Sequence, residues 1–160
     1  VDPKTFITTV LLAITPISEL RGAIPFAYFR GNSLLVSALI GGAFNLLVSP
    51  IAYLFLSYFH QFFYRVWPFY KKVFDKTVVR VRNRISVKID KYGMLGIILF
   101  VGIPLPVTGA WSGTLGAWLL GLDRKHSLVA VSLGVVLATL IVTIVLLLGK
   151  GMFSIFIKIV

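Results

Sequence analysis

The chain contains no cysteine. Disulfides and thiolate-held metal sites are therefore excluded. Acidic side chains are scarce, with 5 Asp and Glu against 16 Lys and Arg, for a net charge of +11. Charge of either sign is thin: 13% of residues, where soluble proteins carry about 25%. Nothing in the sequence resembles a nucleophile with its base, a cluster of metal ligands or a phosphate-binding Gly-rich loop of the soluble kind. No catalytic residue, metal or cofactor is expected, and enzymatic activity is not expected. A cleavable signal is not expected either, because the first apolar run lacks a basic segment before it and a small-residue cleavage site after it.

What the chain has in excess is apolar surface. Hydrophobic residues make up 58%, above the roughly 45–50% of soluble domains. They come in long blocks. Residues 33–59 and 127–149 carry no formal charge. A bilayer core of about 30 Å needs about 20 apolar residues in a helix, so both blocks qualify as membrane spans. The basic residues cluster between spans, where the positive-inside rule accounts for them. No nucleic-acid partner is expected.

Two further apolar zones are broken. Thr5–Phe29 has Pro16 within it and carries Glu19 and Arg21 in "TPISELRGAIP". Tyr92–Gly121 is split by "GIPLPVTG", where Pro104, Pro106 and Gly109 interrupt a helix. The limbs of the second zone make roughly 20 Å of helix each, too short to cross alone. Such zones predict hairpins that enter the membrane, turn near its middle and leave on the same side. A pair of kinked spans is the alternative.

Shifting the sequence by 90 residues places "PISELRGAIPFAYFRG" (Pro16–Gly31) on "PVTGAWSGTLGAWLLG" (Pro106–Gly121). Ser18 then meets Thr108, and Ser37 meets Ser127. The expected fold is all-α and integral to the membrane: two inverted repeats, each a re-entrant helical hairpin plus one transmembrane helix. Repeat 1 covers about residues 5–59 and repeat 2 about 92–149. A basic amphipathic connector, 60–91, joins them, and a short apolar tail, 150–160, follows. An odd number of crossings per repeat inverts the second relative to the first, a plan common in transporters. With both hairpins in place, eleven Lys and Arg fall on the side of the connector and four on the other. The connector should be cytoplasmic. Its apolar spacing fits a surface helix broken near Pro68. The aromatic residues from Phe55 to Trp67 read as an interfacial belt, and His60 and His126 as solvated residues near span ends.

Charges inside a span cost at least about 2.5–3.5 kcal/mol each on insertion scales and mark pathways or pair with one another. Glu19 and Arg21 follow a Pro-x-Ser turn, and Ser and Thr are favoured N-caps. Pro16, Ser18, Pro104, Pro106, Thr108 and Gly109 are thus expected at two hairpin tips. Each second limb would begin with a helix N-terminus, where free N–H groups and the dipole suit an anion. Glu19 and Arg21 become the candidate proton and substrate residues. In a shallow hairpin they would only neutralise each other at the interface. Gly113, Ala117 and Gly121, in step with Gly109, form a small-residue stripe expected to pack helices.

"TPISELRGAIP" followed by "GIPLPVTGAWSGTLGAW" resembles the family of small multidrug export proteins, regarded as distant relatives of the DedA, or VTT-domain, membrane proteins. The resemblance covers nearly the whole chain. It implies two inverted re-entrant hairpins and a transporter-like role. DedA proteins are associated with proton-dependent transport and with movement of lipids, including polyprenyl-phosphate carriers, and their hairpin charges are considered functional. Only Glu19 and Arg21 correspond here, since no charge lies within Ile97–Leu120. The expected function is therefore proton-coupled transport of an amphipathic or anionic substrate, with lipid phosphate as one form. It would sit in the inner membrane of a prokaryote, with the lipid bilayer and protons as partners and a homo-oligomer left open. The alternatives are efflux of hydrophobic cationic drugs, and a non-transporting protein that organises lipids or partners through its basic helix.

Overall fold

Pro3 and Asp2 start the first helix. Asp2 accepts a hydrogen bond from the Thr5 N–H at 3.0 Å, and Pro3 occupies a first-turn position where its missing N–H costs nothing. The computed structural model describes residues 1–79, 93–105 and 108–157, with the side chains of 150–157 left undescribed. Pro106, the connector's basic residues from Arg80 to Lys91 and the end of the tail lie outside the described residues. Every regular element among the described residues is helical.

The helices are α1 (Pro3–Ile14), α2 (Glu19–Phe29), α3 (Leu34–Leu46), α4 (Val48–Leu54), α5 (His60–Val66), α6 (68–79), α7 (Met94–Gly102), α8 (Ala110–Leu119) and α9 (Arg124–Ile157). A π-helical stretch, Phe55–Phe59, joins α4 to α5. Two apolar runs are long enough to span a membrane: Leu34–Val66, with 33 residues, and Arg124–Gly149, with 26. The first run is longer than its uncharged block. Helix continues through His60–Val66, so the connector proper starts at the break at Trp67, with Pro68 opening α6. By contrast α1, α2, α7 and α8 have 12, 11, 9 and 10 residues. At 1.5 Å per residue none exceeds roughly 18 Å.

α1 packs on α2 and both pack on α3, while α7 and α8 pack on α9. The two groups join where α3 meets α9 and α4 meets α8. Small residues set these contacts. A Cβ at Gly113 would collide with Val101, and one at Gly134 would lie 2.5 Å from the same side chain. Val101 thus fills the gaps left by α8 and α9 glycines. Gly42 on α3 meets Thr139 on α9 in the same manner. In lipid no hydrophobic force draws helices together, so close packing of this kind supplies the attraction. Ala117 is fully buried.

Gly121 does not belong to this stripe. It is exposed, and no heavy atom lies within 4 Å of where its Cβ would be. Its φ of 72° ends α8 in a left-handed turn, in which the Leu122 N–H reaches the Ala117 carbonyl at 3.1 Å. Gly31, with φ of 90°, ends α2 in the same way, and the Asn32 N–H reaches the Ala27 carbonyl at 3.3 Å. Local geometry therefore recurs at the 90-residue offset, although the four-residue spacing in the sequence imitates a packing motif.

Candidate functional site

Two interruptions of helix lie against each other: residues 15–18 between α1 and α2, and, among the described residues, 103–105 and 108–109 between α7 and α8. Buried turns expose backbone groups that helices would have paired. Away from water such groups must find partners inside the protein. The structure supplies them largely with side chains from the helices packed around the two turns.

Glu19, the chain's single glutamate, opens α2. It is only 6% exposed. Its carboxylate accepts hydrogen bonds from the Ala110 N–H at 3.1 Å and the Trp111 N–H at 3.2 Å. These are the first two N–H groups of α8, and the positive end of its dipole faces the same carboxylate. To reach them Glu19 takes φ of 50°, the only left-handed non-glycine backbone among the described residues, at a cost of about 1–3 kcal/mol. Gly109 makes room: a Cβ there would fall inside the Glu19 carboxylate. Its φ of 155° also lies in a region open almost only to glycine.

Arg21 lies two residues further along α2. Its Nη1 donates to the Leu105 carbonyl, and its Nη2 to Thr108 Oγ1 at 3.1 Å. Its Nε is buried without a partner. Thr108 Oγ1 also lies 2.8 Å from both the Ile103 and Leu105 carbonyl oxygens, which share its one proton. In return, α8 supports α1. The Trp111 indole N–H donates to the Ile14 carbonyl at 2.9 Å, and Asn45 Nδ2 of α3 donates to the Ala13 carbonyl at 2.7 Å. Those are two of the carbonyls that the end of α1 leaves unpaired.

Several expectations change here. Glu19 and Arg21 form no salt bridge with each other; among the described residues the one such pair is Asp123 with His126. Each instead engages the opposite turn. Neither Ser18 nor Thr108 caps a helix with its side chain: Ser18 makes no cap bond, and Gly109 holds the cap position of α8. The anion at the N-terminus of α8 is the protein's own carboxylate. Pro16 and Pro104 lie in the two non-helical segments, while Pro106 lies outside the described residues.

A cavity of about 280 Å³ opens beside this junction. Ser18, Glu19, Arg21, Thr108 and Ser112 give it a polar end. Phe55, Leu56, Trp111 and Leu115 give it an apolar wall. The third wall is α6, through Tyr70, Phe74 and Thr77. The apolar spacing of that helix predicts a place on the membrane surface; its inner face walls the cavity instead. The available signal was the i, i+4, i+7 spacing of those three residues. His60 holds α6 in place. Its Nδ1 lies 3.0 Å from the Tyr70 hydroxyl, its ring centroid lies 4.1 Å from that of Phe74, and Trp118 meets it edge-on at 5.5 Å. It is a packed residue of an aromatic cluster, not a solvated one. The aromatic belt divides as well: Phe55 and Phe63 turn inward to Tyr70, whereas Tyr58, Phe59, Phe62 and Trp67 are exposed.

No curated protein and no solved structure matches the chain. The family described as "Putative small multi-drug export protein" matches residues 19–141, most of the chain. The match begins at Glu19 and takes in the whole of the second turn and the junction between the two. The name and the two spanning runs agree on a membrane protein, and the name points to an export role. On that match the chain belongs to the small multidrug export protein family.

Proposed function

We propose that this chain is a proton-coupled membrane transporter whose substrate, amphipathic or anionic, binds in the cavity beside Glu19 and Arg21. The observation that carries this reading is the position of the single glutamate. It is buried at the wall of a cavity and bonded to the opposite turn through two N–H groups. A carboxylate so placed links protonation to the junction. Deprotonated, it accepts both bonds and complements the α8 dipole; protonated, it loses its charge and part of its acceptor capacity. The junction then loosens, and Arg21 and the α8 N–H groups become available to an anion. Remote apolar contacts with Phe55, Leu56 and Leu115 hold the rest of an amphipathic molecule.

The architecture belongs to the same proposal: two re-entrant hairpins in inverted repeats, about 5–59 and 92–149. Four helices too short to cross singly and the matching turns at Gly31 and Gly121 support it. So does the excess of Lys and Arg on the connector's side, which makes that side cytoplasmic in a prokaryotic inner membrane. A relationship to DedA proteins, with lipid phosphate as one substrate form, is part of the reading too.

A second reading, efflux of hydrophobic cations, rests on the aromatic wall of Phe55, Tyr70, Phe74 and Trp111 beside a carboxylate. A non-transporting role in organising lipids or partners is the third. Thermal stabilisation in detergent separates them. Amphipathic anions that stabilise the protein through Arg21 support the first, and lipophilic cations that act through Glu19 support the second. Stabilisation by neither leaves the third.

A further inference from the structure

α6 has two apolar faces, and the cavity uses only one. At 3.6 residues per turn, Tyr70, Phe74, Thr77 and Val78 share the inner face, and all four are partly buried. On the opposite side Phe69 and Val79 are exposed, in register with exposed Lys72 and Lys76, and Val73 is exposed at the edge between the two faces. The flanks are held back by Tyr64: its hydroxyl donates to Asp75 at 3.0 Å, and Lys71 sits 5.2 Å from its ring centroid. The one acidic residue of α6, Asp75, thereby has its carboxylate engaged by a neighbouring hydroxyl. That stripe consists of large apolar side chains interleaved with lysines.

We infer that the outward face of α6 docks on anionic phospholipid headgroups at the membrane surface. Apolar groups among lysines fit the boundary where acyl chains meet charged headgroups. Lysine stems reach along the apolar surface while their ammonium groups stay among the phosphates. A purely apolar stripe would suit the hydrocarbon, and a purely basic one would suit any polyanion; the interleaving selects the boundary. The connector adds Arg80, Arg82, Arg84, Lys88 and Lys91 in sequence. Docking of α6 is independent of whether the cavity carries a substrate, and it loads from outside a helix whose inner face walls that cavity.

The cysteine-free chain permits a direct test. Val73→Cys, in the full protein, is labelled with an uncharged water-soluble maleimide in nanodiscs of phosphatidylcholine alone or with phosphatidylglycerol added. Val1→Cys serves as the control. Modification at position 73 should slow with phosphatidylglycerol and recover at high salt. Lys72→Gln with Lys76→Gln should remove most of the protection, about fivefold per lysine. The control rate should not change. Equal rates at position 73 in both discs would overturn the inference. So would protection that survives the double lysine substitution, because the face would then be covered by hydrocarbon or by protein. A control that slows in parallel would overturn it as well, showing a general effect of the anionic surface on the reagent.

Discussion

Gly109→Ala tests the junction at its tightest point. The new Cβ would fall inside the Glu19 carboxylate, so the side chain must leave. Its departure strands the Ala110 and Trp111 N–H groups, which it holds at 3.1 and 3.2 Å. A buried donor left unpaired costs about 1–3 kcal/mol, so two cost about 2–6. The backbone at φ of 155° adds about 1–3 kcal/mol for any residue with a Cβ. Together these reach about 3–9 kcal/mol, a large part of the 5–15 that folded domains typically hold. The informative assay is a double-mutant cycle on thermal unfolding in detergent. Glu19→Ala alone also strands both N–H groups, but it empties the space that the Cβ needs. Gly109→Ala should therefore cost far less in the Glu19→Ala background, where only the backbone strain remains. A coupling of about 2 kcal/mol or more is expected between the two sites. Strict additivity would refute the account, because Gly109 would then be needed for reasons unrelated to Glu19.

The remaining expectations are narrower. Arg21→Lys should keep the charge but lose the fork that reaches both the Leu105 carbonyl and Thr108; it should bind an amphipathic anion more weakly than wild type and more tightly than Arg21→Ala, as read by ligand-dependent thermal shifts. Gly113→Leu should lower thermal stability by at least about 1–3 kcal/mol, since even a Cβ there meets Val101; an unchanged melting curve would show that α7 and α8 pack otherwise. Single cysteines at Lys76 and Lys125 should react from the same face of sealed vesicles, and labelling from opposite faces would remove the hairpin topology.

What the sequence made legible was the positions of breaks and charges. Pro16 and Pro104 announce the two turns because proline cannot continue a helix in either place. Glu19 and Arg21 stand out because charge in an apolar run is costly. Gly113 is readable as a packing residue, but Gly121, at the same spacing, is a turn glycine. Spacing alone cannot separate a glycine that admits a neighbour from one that admits a positive φ. The partners of the two charges were not legible. Two opposite charges two residues apart suggest a pair, yet residues i and i+2 do not face each other on a helix. Each therefore reaches the opposite turn, 84 to 92 residues away in sequence. The role of α6 was hidden because its basic residues dominate its character, while the cavity is read by Tyr70, Phe74 and Thr77.

The most direct test of the central claim is flux into liposomes by wild type and Glu19→Gln, with and without an imposed pH gradient. Glutamine keeps the size of the side chain and one carbonyl oxygen but cannot titrate. Wild type should accumulate substrate in response to the gradient. Glu19→Gln should remain folded, as checked by its melting curve, and lose that response. If Glu19→Gln carries substrate with the wild-type dependence on the gradient, Glu19 is not the proton site. The junction between the two turns would then be structural only.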